Sequence, residues 1–171
     1  DRLFIVHGMG LAKSPDYDAA ADTESRLARV LQPHERPLVD DFYYRQDYFH
    51  NIADVYSISD LVVCRSGAGS LNEISRLGLP ALLIPKANLP GDHQVMNARA
   101  MKCGGAAELL FEATIVEEGV VLDKLEGRLL ADRILRLLGD QGQLERMAAR
   151  SRQFLRRQAV ERILSELFED R

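Results

Sequence analysis

The chain has 171 residues, of which 46% are hydrophobic and 28% charged, a composition typical of one globular domain. Its formal net charge of -4 disfavours nucleic-acid binding, because domains that bind nucleic acid usually carry a basic excess or a basic stripe. Cys64 and Cys103 are far apart in the sequence and lack a CxxC spacing. This usage is typical of a reducing compartment and indicates neither a zinc site nor a disulfide framework. No apolar run approaches the roughly 20 residues of a membrane span.

The start of the chain resembles the interior of a longer protein. It opens on Asp1 without a Met, and the apolar residues 3–6 that follow read as a buried strand. No amino-terminal signal peptide is recognisable. We therefore expect a fragment of a longer chain.

Short apolar strands alternate with longer segments of helical period along most of the chain. The predicted elements, in chain order, are a strand at 3–6, a helix at 19–31, an aromatic strand at 42–44, a short helix at 52–57, a strand at 60–64, a helix at 70–77, a strand at 81–85, a helix at 92–102 and a strand at 107–111. From about Val120 the strand signals stop and the pattern is helical to the end. We interpret residues 1–120 as an α/β core and residues 121–171 as helices that pack on the same domain.

This alternation predicts βαβ units, and therefore a Rossmann-like α/β fold with a mainly parallel sheet and helices on both faces. In such sheets ligands bind beyond the carboxyl ends of the strands. The candidate loops at that edge lie at residues 7–10, 49–51, 66–70 and 86–94. The pair Asp40-Asp41 is interpreted as a solvated strand edge, and no metal site is expected.

The segment Gly67-Ala68-Gly69-Ser70 follows a predicted strand and opens a helix. Its small residues allow a ligand to approach the backbone, and the N–H groups of a first helical turn favour an anion such as phosphate. Glu73, one turn further along, carries a carboxylate that can accept hydrogen bonds from a ribose diol. The pattern is neither a Walker loop nor GxGxxG. An equal alternative is a capping box, in which Ser70 and Glu73 satisfy backbone donors and bind nothing.

A second candidate pair, His93 and Gln94, lies in the first turn of the helix predicted at 92–102. Sugar hydroxyls need neutral, directional hydrogen-bonding partners of this kind. The local sequence alone favours a simpler alternative. In that alternative Asp92 caps the helix, and both side chains are solvated first-turn residues.

Together these motifs resemble the carboxyl-terminal, donor-binding domain of the MurG family of glycosyltransferases, which have the GT-B fold. The resemblance covers nearly the whole chain and rests on several ordered motifs rather than on one. The matching stretches are residues 48–56, 59–68, 73–74, 78–85, 93–94, 97–98 and 104–107.

The resemblance implies a UDP-sugar site. In the family, the backbone at the position of Phe49 pairs with uracil, and the glutamate at the position of Glu73 binds the ribose hydroxyls. The polar pair at the positions of His93 and Gln94 addresses the N-acetylglucosamine ring, although many members carry Gln-Gln there. The loop and helix start that lie against the diphosphate correspond to Gly67, Ala68, Gly69 and Ser70. Further candidate site residues are His7, Arg65 and Asn97.

The activity that the resemblance implies is inverting transfer of N-acetylglucosamine from UDP-N-acetylglucosamine to lipid I, the undecaprenyl-pyrophosphoryl-muramoyl-pentapeptide, which yields lipid II for peptidoglycan. The family's amino-terminal acceptor domain and a glycine-rich loop of its donor domain are missing from this sequence. We therefore expect the catalytic base, the lipid I contact and a peripheral contact with the inner face of the cell membrane to belong to that domain. No catalytic residue is assigned in this fragment, and no cofactor is expected, because a helix N-terminus can meet the charge on departing UDP.

Two alternatives stay open at the level of sequence. One is another GT-B transferase that uses a different UDP-sugar with a lipid acceptor. The other is a non-enzymatic module that binds a nucleotide-sugar or a partner chain.

Overall fold

The computed structural model describes residues 3–11, 13–14, 17–86, 92–117 and 120–154. The chain divides into two compact units, Asp1–Val55 and Tyr56–Arg171. The loop predicted at 88–91 and the helical tail predicted beyond residue 154 lie outside the described residues. Among the helices that are described, none has the length and apolar character needed to cross a membrane.

The first unit contains a two-stranded parallel sheet formed by β1 (Ile5–Gly8) and β4 (Tyr43–Gln46). Its other elements are β2 (Lys13–Ser14), β3 (Tyr17–Asp18), α1 (Ala19–Val30) and α2 (Arg36–Phe42). Asp18 begins α1 as its N-cap, because its carboxylate accepts hydrogen bonds from the N–H groups of Ala20 and Ala21 at 2.9 and 3.1 Å. The predicted first helix is present. The first strand begins two residues later than predicted and is exposed or half-buried rather than buried. Along the chain, α3 (Ile52–Ser57) follows this sheet.

Helix α2 corrects one sequence prediction, because Asp40 and Asp41 lie within it rather than at a strand edge. Pro37 stands in its first turn, where the missing N–H group costs no helical hydrogen bond. Arg36 then donates from Nε to Oδ2 of Asp40 at 3.1 Å, across one helical turn. The strand predicted at 42–44 consequently begins at Tyr43.

The second unit is built on a three-stranded parallel sheet in the order β5-β6-β7. The strands are β5 (Val62–Cys64), β6 (Ala81–Leu83) and β7 (Ala107–Leu109), joined by α4 (Ala68–Leu77) and α5 (His93–Cys103). In the register of the sheet, Cys64 pairs with Leu83, and Leu83 pairs with Leu109. After the sheet come α6 (Gly127–Leu138), α7 (Gln141–Ser151) and a 3-10 helix at Arg152–Phe154.

Helices cover both faces of this sheet, and the alternation of side chains along β6 shows how. Ala81 and Leu83 are fully buried in one cluster, which includes Ile74 of α4 and the α5 residues Ala98 and Met101. Leu82 points to the other face and is buried with three residues of α6 and α7, namely Leu137, Leu144 and Met147. A strand buried on both faces needs an unbroken apolar run, which is what the sequence has here. The predicted Rossmann-like α/β architecture is confirmed.

A β-hairpin after β7 contradicts the prediction that the chain becomes helical from about Val120. Its strands are β8 (Ala113–Glu117) and β9 (Val120–Lys124), which pair antiparallel, and the next helix begins only at Gly127. The β-branched run Thr114-Ile115-Val116 suits an extended strand. The apolar residues that follow Val120 continue the hairpin before the helical period starts.

A glycine in a left-handed conformation ends α4. Gly78 adopts a left-handed conformation with φ 68°, and the N–H groups of Gly78 and Leu79 both donate to the carbonyl oxygen of Ile74, at 2.8 and 3.0 Å. A Cβ atom built on Gly78 would contact the Arg152 side chain. The position therefore requires glycine both for its backbone and for the space around it.

Candidate functional site

The carboxyl ends of β5, β6 and β7 meet at one edge of the sheet, because the strands are parallel and in register. The ladder continues beyond the strands: Ile84 N–H donates to the carbonyl oxygen of Cys64 at 2.9 Å, and Leu110 N–H donates to that of Leu83 at 3.0 Å. The chain then leaves the sheet in three adjacent loops. In α/β proteins this is the edge at which ligands bind.

The start of α4 lies at this edge and lacks a side-chain cap. Gly67 is the N-cap residue, and no side chain in the described part of the chain accepts a hydrogen bond from the first turn. A Cβ atom built on Gly67 or Gly69 would meet no described atom within 4 Å. The N–H groups of a first helical turn have no acceptor within the helix, and the helix dipole adds partial positive charge there. This end of α4 is therefore suited to an anionic group such as phosphate.

The capping-box alternative for Ser70 and Glu73 is wrong. The extended conformation of Gly67, with φ −66° and ψ 149°, places the helix start before Ser70, so Ser70 lies inside α4 and not at its cap. A capping box needs its serine at the N-cap position and its glutamate three residues later. Glu73 therefore does not cap the start of the helix, and its side chain is exposed.

Glu73 has a defined neighbour in Tyr56, whose hydroxyl group donates to Oε2 of the carboxylate at 3.4 Å. The Tyr56 ring packs against the core cluster that contains Ile74. Burial, and then the charge of Glu73, raise the pKa of Tyr56 to about 12, so the phenol stays a donor at neutral pH. The same two causes raise the pKa of the Cys64 thiol to about 11, so Cys64 is not a thiolate nucleophile.

Hydrogen bonds tie the loop after β5 to the first turn of α5. The hydroxyl group of Ser66, which is 0% exposed, donates to the backbone carbonyl of Gln94 at 2.7 Å. The Asn97 side chain donates from Nδ2 to the carbonyl of Ser66 at 3.2 Å. In addition, Oε1 of Gln94 accepts the backbone N–H of Lys86 at 3.0 Å. Two of the predicted site residues, Gln94 and Asn97, are thereby held next to the loop that leads into α4.

The start of α5 differs from the alternative in which Asp92 caps it. Asp92 occupies the N-cap position, but it has φ 47° and its side chain makes no capping hydrogen bond to any described residue. His93 is the first residue of α5 and is exposed. A left-handed backbone is costly for a residue other than glycine, and such strain concentrates at functional sites.

Arg65, another predicted candidate, is engaged by an acidic residue that follows β7. Its Nη1 and Nη2 atoms donate to the two carboxylate oxygens of Glu112 at 2.6 and 2.7 Å, and Nη1 also donates to the carbonyl of Ile84 at 3.2 Å. The bond to Glu112 raises the pKa of Arg65 above its usual value. This fork-on-fork geometry fixes the guanidinium group at the sheet edge.

A second ion pair connects the same edge to the hairpin. Lys86 donates from Nζ to Oδ2 of Asp123 at 2.8 Å, and Thr114 donates to the other carboxylate oxygen at 3.0 Å. The hydrogen bond from Lys86, followed by that from Thr114, lowers the pKa of Asp123. The hairpin of β8 and β9 is therefore anchored over the carboxyl ends of β5 and β6 through two charged contacts.

The remaining candidates, His7 and Phe49, lie in the first unit. His7 Nδ1 is 2.5 Å from the hydroxyl oxygen of Tyr43, and their rings stack with centroids 5.9 Å apart. Burial, and then the charge of Arg45, lower the pKa of His7, so its ring is neutral at pH 7. The ring of Phe49 lies 6.3 Å from that of Tyr44. His7 is thus held by contacts within its own unit.

The described residues provide no group of three or more His, Cys, Asp or Glu side chains that could hold a metal ion. An open cavity of about 580 Å³ lies at the carboxyl end of α5, opposite to the end that carries His93 and Gln94. Its lining residues are Cys103, Gly104, Gly105, Arg150, Gln153 and Phe154. This cavity is separate from the candidate edge, because none of its lining residues belongs to the loops after β5 and β6 or to the start of α4.

Comparison with known proteins identifies the family. Residues 28–163, more than half of the chain, match the model of the glycosyltransferase family 28 C-terminal domain. The chain belongs to this family. All candidate site residues except His7 lie inside the matched range. They include Phe49, Glu73 and Gln94.

Proteins similar to this chain include two that are named UDP-N-acetylglucosamine--N-acetylmuramyl-(pentapeptide) pyrophosphoryl-undecaprenol N-acetylglucosamine transferase. The one from Porphyromonas gingivalis (strain W83) is 35% identical over 143 residues, which are 84% of this chain and 33% of that protein. The one from Desulforudis audaxviator is 43% identical over 74 residues, which are 43% of this chain and 20% of that protein. The chain thus spans about a third or less of the length of these relatives.

A solved structure of Acinetobacter baumannii MurG has the same fold, with a TM-score of 0.59 and 23% sequence identity. The similarity covers 76% of this chain and 35% of that one. The chain therefore has the Rossmann-like architecture that the alternation of strands and helices predicts, of the GT-B type that the family resemblance implies.

Proposed function

We propose that this chain is the donor-binding part of an inverting glycosyltransferase. It would move N-acetylglucosamine from UDP-N-acetylglucosamine to undecaprenyl-pyrophosphoryl-muramoyl-pentapeptide, the step that yields lipid II for peptidoglycan. The observation that supports this most directly is the start of α4, an uncapped helix end at the ligand edge of the sheet with Glu73 on the same helix. The family match and the names of the relatives support the reaction and both substrates.

Each part of the donor has an assigned contact in this proposal. The first turn of α4 binds the diphosphate through backbone N–H groups, and Glu73 accepts the ribose hydroxyls. Gln94 and His93 bind the N-acetylglucosamine ring, with Asn97 beside them. The backbone at Phe49 pairs with uracil. The diphosphate contacts come from Gly67, Ala68, Gly69 and Ser70.

Arg65 and His7 have different roles in the proposal. Arg65 anchors the hairpin through Glu112, because its two Nη atoms are already occupied by that carboxylate. His7 contacts Tyr43, which belongs to the same unit. Neither side chain is assigned a donor contact.

The chemistry assigned to this chain is stabilisation of the leaving group. Inversion takes place in one displacement, in which a base removes the proton of the acceptor hydroxyl while negative charge develops on departing UDP. The α4 N-terminus, oriented before the reaction begins, stabilises that charge. The base, the lipid contact and a peripheral contact with the cytoplasmic face of the membrane belong, in this proposal, to a separate acceptor-binding domain.

Calorimetric titration of the protein with UDP-N-acetylglucosamine, UDP-glucose and ADP-glucose tests the proposal. We expect UDP-N-acetylglucosamine to bind more tightly than UDP-glucose, and ADP-glucose to bind negligibly. Equal binding of the two UDP-sugars would indicate a transferase of different donor specificity. If neither UDP-N-acetylglucosamine nor UDP binds or raises the melting temperature, the proposal is wrong.

A further inference from the structure

Ser66 is a buried polar residue that the assigned contacts leave without a role. It lies between the end of β5 and Gly67, the N-cap residue of α4, and it is 0% exposed. A buried hydroxyl group costs free energy unless it is hydrogen-bonded. Its bond is made to the carbonyl oxygen of Gln94, at 2.7 Å, and so to a helix that lies 28 residues further along the chain.

The connection runs in both directions between the two loops. Asn97, on the same turn of α5 as Gln94 and His93, returns a hydrogen bond of 3.2 Å to the carbonyl of Ser66. Ser66 therefore donates to α5 with its hydroxyl group and accepts from α5 with its backbone. Two bonds between the same two segments resist both sliding and rotation of one against the other.

The side chain of Gln94 is also oriented by the segment that follows β6. Its Oε1 accepts the N–H of Lys86 at 3.0 Å, so the Nε2 group is the end of the amide left for a ligand. Since Ser66 holds the backbone of Gln94 while Lys86 holds its side chain, the position of Nε2 depends on both bonds. Gly67 and Gly69, the proposed diphosphate contacts, follow Ser66 directly in the chain.

We propose that Ser66 is a positioning residue that sets the distance between the diphosphate-binding turn of α4 and the sugar-binding turn of α5. The proposal rests on the function proposed above. Because the sugar is bonded directly to the diphosphate, the two turns must lie within a limited range of spacing for both groups to be bound together. A displacement of about 1 Å at such a site is enough to cost up to about 100-fold in activity.

The test compares the affinities of the protein for UDP and for UDP-N-acetylglucosamine, because only the second ligand reaches both turns. In Ser66→Ala we expect the affinity for UDP-N-acetylglucosamine to fall about tenfold relative to that for UDP, while the UDP affinity changes less than about threefold. The matched control is Ser75→Ala, which removes another buried serine hydroxyl, 3% exposed, from the same unit. The control should leave the ratio of the two affinities unchanged.

A double-mutant cycle separates positioning from general damage. If Ser66 acts through the α5 turn, the effect of Ser66→Ala on the affinity ratio is smaller in a Gln94→Ala background, because that background has already lost one sugar contact of the turn. Ser66→Cys, which keeps the volume with a weaker donor, provides the same measurement if Ser66→Ala does not fold.

The outcomes are distinguishable. A wild-type protein that binds neither ligand overturns the proposed function and this role together. A wild-type protein that prefers UDP-N-acetylglucosamine, with Ser66 variants that keep the preference, overturns the role of Ser66 alone. Equal losses for both ligands, or an effect of Ser66→Ala that is undiminished in the Gln94→Ala background, also overturn it.

Discussion

The hydroxyl group of Tyr56 lies 3.4 Å from a carboxylate oxygen of Glu73, so an exposed acidic side chain on α4 is restrained by a neighbour that is itself anchored in the core. A carboxylate at the end of a flexible side chain loses rotamer entropy when it binds a ligand. Tyr56 restricts that freedom in advance. The pair therefore connects the packing of the second unit to the proposed ribose contact.

We expect Tyr56→Phe to weaken UDP binding about threefold to tenfold, the effect of losing one hydrogen bond to a charged group at a partly exposed position. The ring remains, so the melting temperature should change little. Calorimetric titration with UDP measures the effect, and Tyr17→Phe, an exposed tyrosine of the first unit, is the control. Unchanged UDP affinity in Tyr56→Phe would show that the contact does not restrain Glu73.

Replacing the carboxylate itself should have a larger effect. Glu73→Ala is expected to weaken UDP binding by roughly 1–3 kcal/mol, because a ligand that donates to a charged acceptor loses that bond. Thermal stability should hardly change, since Glu73 makes no capping bond. The control is Glu145→Ala on α7, which removes an exposed carboxylate elsewhere in the unit. A fall in melting temperature with UDP affinity intact would contradict the proposed role.

Gly69→Ala separates stability from ligand binding. Gly69 lies inside α4 and a Cβ atom there meets no described atom within 4 Å, so alanine should stabilise the helix by up to about 1 kcal/mol. The same methyl group would keep a diphosphate from the backbone and lower UDP affinity by tenfold or more, on the order of 1.4 kcal/mol. Gly127→Ala, at the start of α6 with equally open surroundings, is the matched control. Thermal melts and UDP titration of both variants measure the two effects, and undiminished affinity in Gly69→Ala would rule out a close backbone contact.

The hairpin should loosen when its anchor to the sheet edge is removed. In Glu112→Gln the bidentate contact with Arg65 is lost, and we expect backbone amides of β8 and β9 to exchange faster, by an amount equivalent to about 0.2–1 kcal/mol. Hydrogen exchange followed by NMR or mass spectrometry measures it. The control is Glu108→Gln on β7, which removes an acidic partner of Lys102. It should leave amide exchange in the hairpin unaltered. Identical exchange in wild type and Glu112→Gln would contradict an anchoring role.

His7 provides a prediction about pH. Its pKa is lowered by burial and then by the charge of Arg45, so Arg45→Gln should raise the pKa of His7 toward its ordinary value near 6.5. Because the folded-state pKa lies below the unfolded one, the stability contributed by neutral His7 is complete above about pH 6.5 and is lost as pH falls through the folded-state pKa. NMR titration of the His7 ring protons gives the pKa. Arg29→Gln, at the exposed end of α1, is the control.

Sequence patterns predict the architecture well because a strand that is buried on both faces is a continuous run of apolar residues. The run Ala81-Leu82-Leu83 is such a case, since every one of its side chains is buried. The sequence does not predict the hairpin, because the apolar residues of its second strand are closely followed by those of the amphipathic helix. The capping box fails because Gly67 adopts the N-cap conformation before Ser70 is reached, and a glycine cap leaves no side-chain signature.

The sequence predicts candidate site residues only where the residue type and its position after a strand or turn indicate a chemical role. Glu73 and Gln94 follow a glycine-rich turn and a strand end, which predict the ligand edge of the sheet. Their assignment to a UDP-sugar comes from the family resemblance. Ser66 and Tyr56 carry no such signal, because their roles depend on partners at 28 and 17 residues' separation. Arg65, a further candidate site residue, is bound by the carboxylate of Glu112, a partner 47 residues away that its sequence neighbours do not predict.

The two ion pairs at the sheet edge have a consequence for how an anion would be attracted there. Arg65 and Lys86 are each matched by a carboxylate, so these four side chains together contribute no net charge. In the proposed site the attraction would come from peptide dipoles at the start of α4, which carry no titratable proton and are present whatever side chains stand there. An anion-binding property written into the main chain would persist across pH values and substitutions that would abolish one based on a lysine or an arginine.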